Sequence, residues 1–197
     1  MLGHIVGFIA TPRTQWQKLG DDASSFRGLV YAMLLAILPA AAFYYGVTQV
    51  GWQVADGDTV RLTTQSAWVL IGLFYLAMIA AIVSIGYFVH WMACNYGSES
   101  TIMKGVSIVA YCATPMFLAG LVGFYPVLWL DMLVAVVAVS WSVYLLYMGI
   151  PIVMGIPSEQ GFLFASAILA VCLVVLISMM GVTVALWDMG FTPVFSD

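Results

Sequence analysis

The chain has 197 residues, of which 64% are hydrophobic and only 7% charged, with a mean hydropathy of +1.08 and a net charge of −4. A soluble domain carries about 25% charged residues, so this chain lacks the polar side chains to cover a water-facing surface. Cytosolic enzymes, secreted domains and disordered proteins are excluded on that ground. With no block of Lys or Arg to grip phosphate, nucleic acid is excluded as a partner.

Residues 1–27 come first. Leu2, Ile5, Val6 and Ile9 recur at helical spacing, but the run is too short to span a bilayer and Pro12 interrupts it. The pattern predicts an amphipathic helix lying on the membrane surface, with His4 near the interface. Thr11-Pro12 fits an N-cap followed by proline at the first helical position, so a second short helix is expected through Trp16 and Leu19. Gly20-Asp21-Asp22 ends it, and Ser24 or Ser25 is placed to cap the first span. Arg13 and Lys18 come after the apolar stretch, the reverse of a secretory signal.

Five apolar runs come next, each long enough for a spanning helix. They cover Gly28 to Gly51, Ala67 to Cys94, Gly105 to Tyr125, Asp131 to Met154 and Phe162 to Trp187. None contains Lys, Arg or Glu. Backbone in lipid must satisfy its own hydrogen bonds, so the fold is all-α, a polytopic membrane bundle of five helices. Residues 28–187 form the membrane domain, and residues 188–197 a short acidic tail. Arg13, Lys18, Arg27 and Lys104 fall on one side of this topology and Arg61 on the other. The excess of positive charge places the N-terminus in the cytoplasm of a plasma or inner membrane and the C-terminus outside. Trp52, Trp68, Trp91, Trp129 and Trp187 lie near the run ends, as an aromatic belt does.

Three segments carry a family resemblance: FIATPRTQW at residues 8–16, AYCATPMFLAGLVGFYP at 110–126 and SVYLLYMGIP at 142–151. In this order on five spans, the chain resembles the bacterial inner-membrane branch of the Yip (Ypt-interacting protein) family. Eukaryotic members bind prenylated Rab-type GTPases and act in vesicle traffic, with a longer soluble N-terminal region than this chain shows. The resemblance therefore does not carry GTPase binding over, and it supplies no catalytic residues. It implies at most a general association with transport.

Several residues are candidates for chemistry. Proline lacks an N–H, so Pro39, Pro115 and Pro151 free the carbonyls of Leu35, Tyr111 and Tyr147. Such carbonyls build ion sites in some transporters, or mark simple kinks. Ser140, Tyr144, Tyr147 and Pro151 share one helix face. With Tyr111, Thr114 and Pro115 on the preceding span they form a candidate polar cluster, either a permeation surface or interhelical hydrogen bonding. The short connection between these spans makes them antiparallel neighbours. Tyr144 or Tyr147 is therefore expected to donate to the Tyr111 carbonyl. Asp131 either caps its helix near the outer interface or marks an ion pathway. His90 is titratable and with Cys94 offers half a metal site. No second pair completes it, so no metal or cofactor is expected, and Cys94, Cys112 and Cys172 read as small hydrophobes. Small residues at four-spacing, Ala32-Ala36-Ala40 and Ala77-Ala81, allow close helix approach within the bundle or in a dimer.

No protease, hydrolase, nucleotide-binding or zinc signature occurs. The chain reads as a non-enzymatic membrane protein acting through lipid, a membrane-protein partner or its own copies. The alternative is a channel or transporter for ions or small solutes.

Overall fold

The computed structural model describes residues 2–20, 26–53, 59–190 and 192–196. It is an all-α bundle, as the apolar runs require. Two short helices, α1 (Leu2–Ala10) and α2 (Pro12–Gly20), precede the spans. The first span is α3 (Arg27–Tyr45), prolonged by a π-helical turn to Val50, and the second is α4 (Thr64–Asn95). The third is divided into α5 (Ile102–Cys112) and α6 (Thr114–Ala119), the latter running on as a 3₁₀ turn to Phe124. Then come α7 (Leu128–Met154) and α8 (Ser158–Asp188). Four of these helices are long and apolar enough to cross a membrane singly, and the divided pair, bent by 41°, makes the fifth.

The bend has a local cause. Pro115 has no N–H to offer the carbonyl of Tyr111, so the helical ladder stops at Ala113 and restarts with Pro115 in the first turn of α6. Pro39 and Pro151, by contrast, lie inside helices that remain single elements. Pro39 is buried against Gly120, and Pro151 stands where a Cβ on Gly161 would lie 2.8 Å away. Helix α7 ends at Gly155, whose φ of 65° is the left-handed turn that favours glycine. The Ser24 or Ser25 cap and the Asp21-Asp22 stop lie outside the described residues. Phe26 precedes α3 without a side-chain cap bond.

Side-chain and backbone bonds fix which connections share an end. Ser98 donates to the carbonyl of Met154 at 2.6 Å, and the Tyr96 ring stacks on Phe164 at 5.5 Å. Residues 96–101, the end of α7 and the start of α8 therefore sit together with α2 at one end, the N-end. At the opposite C-end, β1 (Trp52–Gln53), β2 (Thr59–Leu62) and β3 (Phe195–Ser196) form a three-stranded antiparallel patch that ties the first loop to the tail. This pairing of ends is the one that five spans demand.

Helix α5 is the hub. Every residue from Gly105 to Cys112 is buried. It is held close to its neighbours by glycine. A Cβ on Gly86 of α4 would lie 2.6 Å from Val106, one on Gly105 would meet the Gly86 carbonyl, and one on Gly28 of α3 would meet Ser107. Backbones this close exchange dispersion contacts that larger residues would forbid.

The segment before the first span goes deeper than the expected surface position. Phe8 and Trp16 are wholly buried and Leu19 nearly so. Ile5 packs against the main core and Ile9 stays half exposed, so α1 turns Ile5 and Phe8 inward. The reason is packing. Two aromatic rings offer far more contact area to a cavity in the bundle than the aliphatic stripe offers to the surface.

Candidate functional site

The centre of the N-end half is an aromatic cluster supplied by four elements. Tyr111, on the hub helix just before the break, is stacked by Phe8 of α1 at 5.1 Å and meets the tilted ring of Tyr31 of α3 at 4.8 Å. Trp16 of α2 meets Phe8 edge-on at 4.8 Å and Tyr111 at 6.4 Å. The indole also occupies the space beside Gly149 of α7, where a Cβ would lie 2.7 Å from it. Glycine at 149 is what admits the ring. The Trp141 Nε1 donates to the carbonyl of Phe8 at 3.3 Å, tying the end of α1 to the middle of α7. Tyr31 and Thr114 share a hydrogen bond of 2.8 Å with both side chains buried.

The expected cluster is thereby divided. Thr114 and Tyr111 come together, but with Tyr31, Phe8 and Trp16 rather than with Tyr144 and Tyr147. The α1–α2 pair stands between them, touching Tyr111 on one side and Gly149 and Trp141 on the other. Tyr147 bonds Ser166 of α8 at 2.8 Å and packs on Phe162. Tyr144 is 46% exposed and leans on Trp141 at 5.2 Å. Ser140 returns its hydroxyl to the carbonyl of Val136, one turn back in its own helix. The expected hydroxyl from α7 to the Tyr111 carbonyl is not formed: that of Tyr147 is engaged by Ser166, and that of Tyr144 bonds no described residue.

Asp131 lies in the first turn of α7, where its charge complements the helix dipole. The N-cap itself is Val127, with no side-chain cap bond, so the capping role is not realised. His90 and Cys94 are neighbours, with Nδ1 and Sγ 3.9 Å apart. No group of three or more potential metal ligands occurs among the described residues. Two buried polar atoms have no hydrogen-bond partner among the described residues: the Trp16 Nε1 and the Ser142 hydroxyl.

Phe8, Trp16, Tyr31 and Trp141 were not singled out by sequence reasoning as site residues. One signal was present: Phe8 and Trp16 flank the Thr11-Pro12 break at nearly equal distance, the spacing that lets a helical pair present two rings to one target.

A second feature lies beside this cluster at the N-end. A cleft of about 660 Å³ separates the α1–α2 turn from α7. Thr11, Arg13 and Thr14 line one wall, and Tyr144, Tyr147 and Pro151 the other.

The Yip1 domain family matches residues 6–179 of the chain. An inner membrane protein, YohC of Escherichia coli strain K12, is 34% identical over 192 residues, covering 96% of this chain and 98% of that protein. YohC of Escherichia coli O6:H1 strain CFT073 matches to the same extent. No solved structure matches the chain.

Proposed function

The chain belongs to the Yip1 family of membrane proteins, and on that premise we propose that it works without catalysis, by binding lipid or protein within the membrane. It is an integral membrane protein, similar over nearly its whole length to an inner membrane protein. The observation that carries the proposal is the filled interior. Where kinked helices of a transporter leave a midplane site, here the broken third span presents Tyr111 and Thr114 to Phe8, Trp16 and Tyr31. The proposed partners are membrane lipids, a membrane protein or a second copy. The proposed orientation is an N-end in the cytoplasm, carrying Arg13, Lys18, Arg27 and Lys104.

Reconstitution into proteoliposomes tests the mode of action. The expected result is no flux of cations, anions or protons above that of empty vesicles, with lipid or a protein retained through mild detergent extraction. Saturable flux would replace this proposal with the channel or transporter reading, for which the 41° break of the third span is the supporting feature. Orientation is tested separately, with an enzyme reporter active only outside. It is expected to give signal at the C-terminus and none at Gly97.

A further inference from the structure

Helix α8 is held at both ends, in two different ways. At the N-end it is packed. Its buried residues, Gly161, Phe164, Ala165 and Ile168, all lie near its start. Gly161 abuts Pro151 of α7, Phe164 is stacked by Tyr96, and Ser166 bonds Tyr147. Beyond Ile168 no residue as far as Asp188 is buried. Cys172, Val175, Met179 and Leu186 form a half-buried stripe on one face, and the residues around them are exposed.

At the C-end the helix is held by its own tail. Gly190, with a φ of 98°, takes the left-handed conformation that turns the chain out of the helix. Pro193 then stiffens the stretch that leads back to β2. Phe195 and Ser196 pair with Leu62 and Arg61. The Thr63 N–H and hydroxyl both donate to the carbonyl of Val194, at 3.0 and 3.2 Å, and the Val194 N–H donates to the Ser66 hydroxyl at 3.1 Å. Thr63 and Ser66 stand at the start of α4, so the tail straps the far end of α8 to α4.

The two anchors differ in strength. The first is part of the main core. The second is a two-residue strand whose bonds to Thr63 and Ser66 are exposed, where water can replace them. Short terminal elements of this kind open locally while a packed core stays closed. The bilayer does not oppose the opening, because the faces uncovered on α4 and α8 are apolar and lipid accepts them as readily as protein does.

We propose that α8 is a hinged arm: it pivots on its packed start, and its outer part swings away from α4 when the strap Val194–Ser196 unzips from β2. Met180 lies about 18 Å beyond Ile168 along the helix. A swing of about 20°, within the range of tilts that membrane helices adopt, moves it by about 6 Å. The half-buried stripe then turns to lipid, and the bundle opens sideways in the leaflet at the C-end while the aromatic cluster at the N-end stays closed.

Distances between paired spin labels in lipid nanodiscs test this, in a background with Cys94, Cys112 and Cys172 replaced by alanine. One pair, Val69→Cys with Met180→Cys, reports on the C-end. The other, Trp91→Cys with Leu163→Cys, reports on the N-end. All four positions are exposed. Deletion of residues 192–197 is expected to lengthen the C-end distance by about 6 Å and to leave the N-end distance unchanged. In the full chain, Thr63→Val with Ser66→Ala weakens the strap and is expected to add a longer C-end distance beside the original one. An unchanged C-end distance after deletion would overturn the strap, since packing alone would then hold the helix. Equal lengthening of both distances would overturn the hinge in favour of a general loosening of the bundle. Should the deletion variant fail to fold, the full-length double variant decides, and the absence of a longer C-end distance in it refutes the proposal.

Discussion

The two ends of the bundle are built differently although the same apolar helices run through both. In α8 every buried residue, Gly161, Phe164, Ala165 and Ile168, lies in the third nearest the N-end, and the rest of the helix to Asp188 has none. In α7 all the buried residues except Ala138 lie from Leu145 onward, again toward the N-end. There the spans, α1 and α2 close around Tyr111, Trp16 and Phe8. Toward the C-end, residues such as Leu133, Val136, Ile177, Met180 and Val184 are open to the surroundings. Among the described residues a small second core, Ala40, Val47, Leu62, Ala67 and Ile71, sits toward the strand patch. The contrast teaches that membrane helices need no mutual packing to bury apolar side chains, since lipid accepts them equally well. Packing in the N-end half is therefore a source of specificity, holding the N-terminal segment and the broken span in one arrangement.

The strongest way to break this comparison is to empty the N-end core. Trp16→Ala is expected to lower stability by about 3–5 kcal/mol, as large-to-small core changes do. Ile177→Ala or Val184→Ala in the exposed part of α8 should stay within about 0.5 kcal/mol. Thermal unfolding in detergent measures both, and equal losses would refute the distinction. Overfilling gives the next effect. Gly149→Leu drives a side chain into the Trp16 indole and should lose about 1–3 kcal/mol. Gly181→Leu, at a position with open space around it, should be tolerated.

Hydrogen bonds sharpen the comparison on a finer scale. Thr114→Val removes the buried bond to Tyr31 and is expected to destabilise by about 0.5–1.5 kcal/mol. Thr183→Val removes only a bond to the carbonyl of Met179 in its own helix and should be close to neutral. A smaller loss than that of Thr114→Val is expected of Tyr147→Phe, which gives up the bond to Ser166, worth about 0.6 kcal/mol in the average membrane case. Tyr144→Phe, which breaks no bond to a described residue, should leave the unfolding temperature unchanged.

Sequence reasoning read the elements well and their contacts less well. The spans, the short α1 and α2 and the sharing of ends came from apolar runs and loop lengths; of the two midspan kinks that proline chemistry suggested, the one at Pro115 breaks its helix, while α3 continues through Pro39 as one element. The pairing of Tyr144 and Tyr147 with Tyr111 did not hold. That expectation joined two consecutive antiparallel helices directly and left out a segment more than ninety residues earlier. Helical spacing put Ser140, Tyr144, Tyr147 and Pro151 on one face. It was silent on what that face meets: Ser166 for Tyr147, an open cleft for Tyr144.

What the sequence determined by itself is the class of structure and its threading. Stretches of twenty or so residues without Lys, Arg or Glu can be stable in lipid only as helices, because the backbone has no other donors or acceptors there. What only the tertiary structure decided is which apolar faces meet protein and which meet lipid. A helix that is hydrophobic all round carries no stripe to mark its inward side, and lipid and core reward the same side chains. The choice falls to shape: glycine at 149, 86 and 28, where neighbours come close, and two aromatic rings from the N-terminal helices that fit the space the broken span leaves.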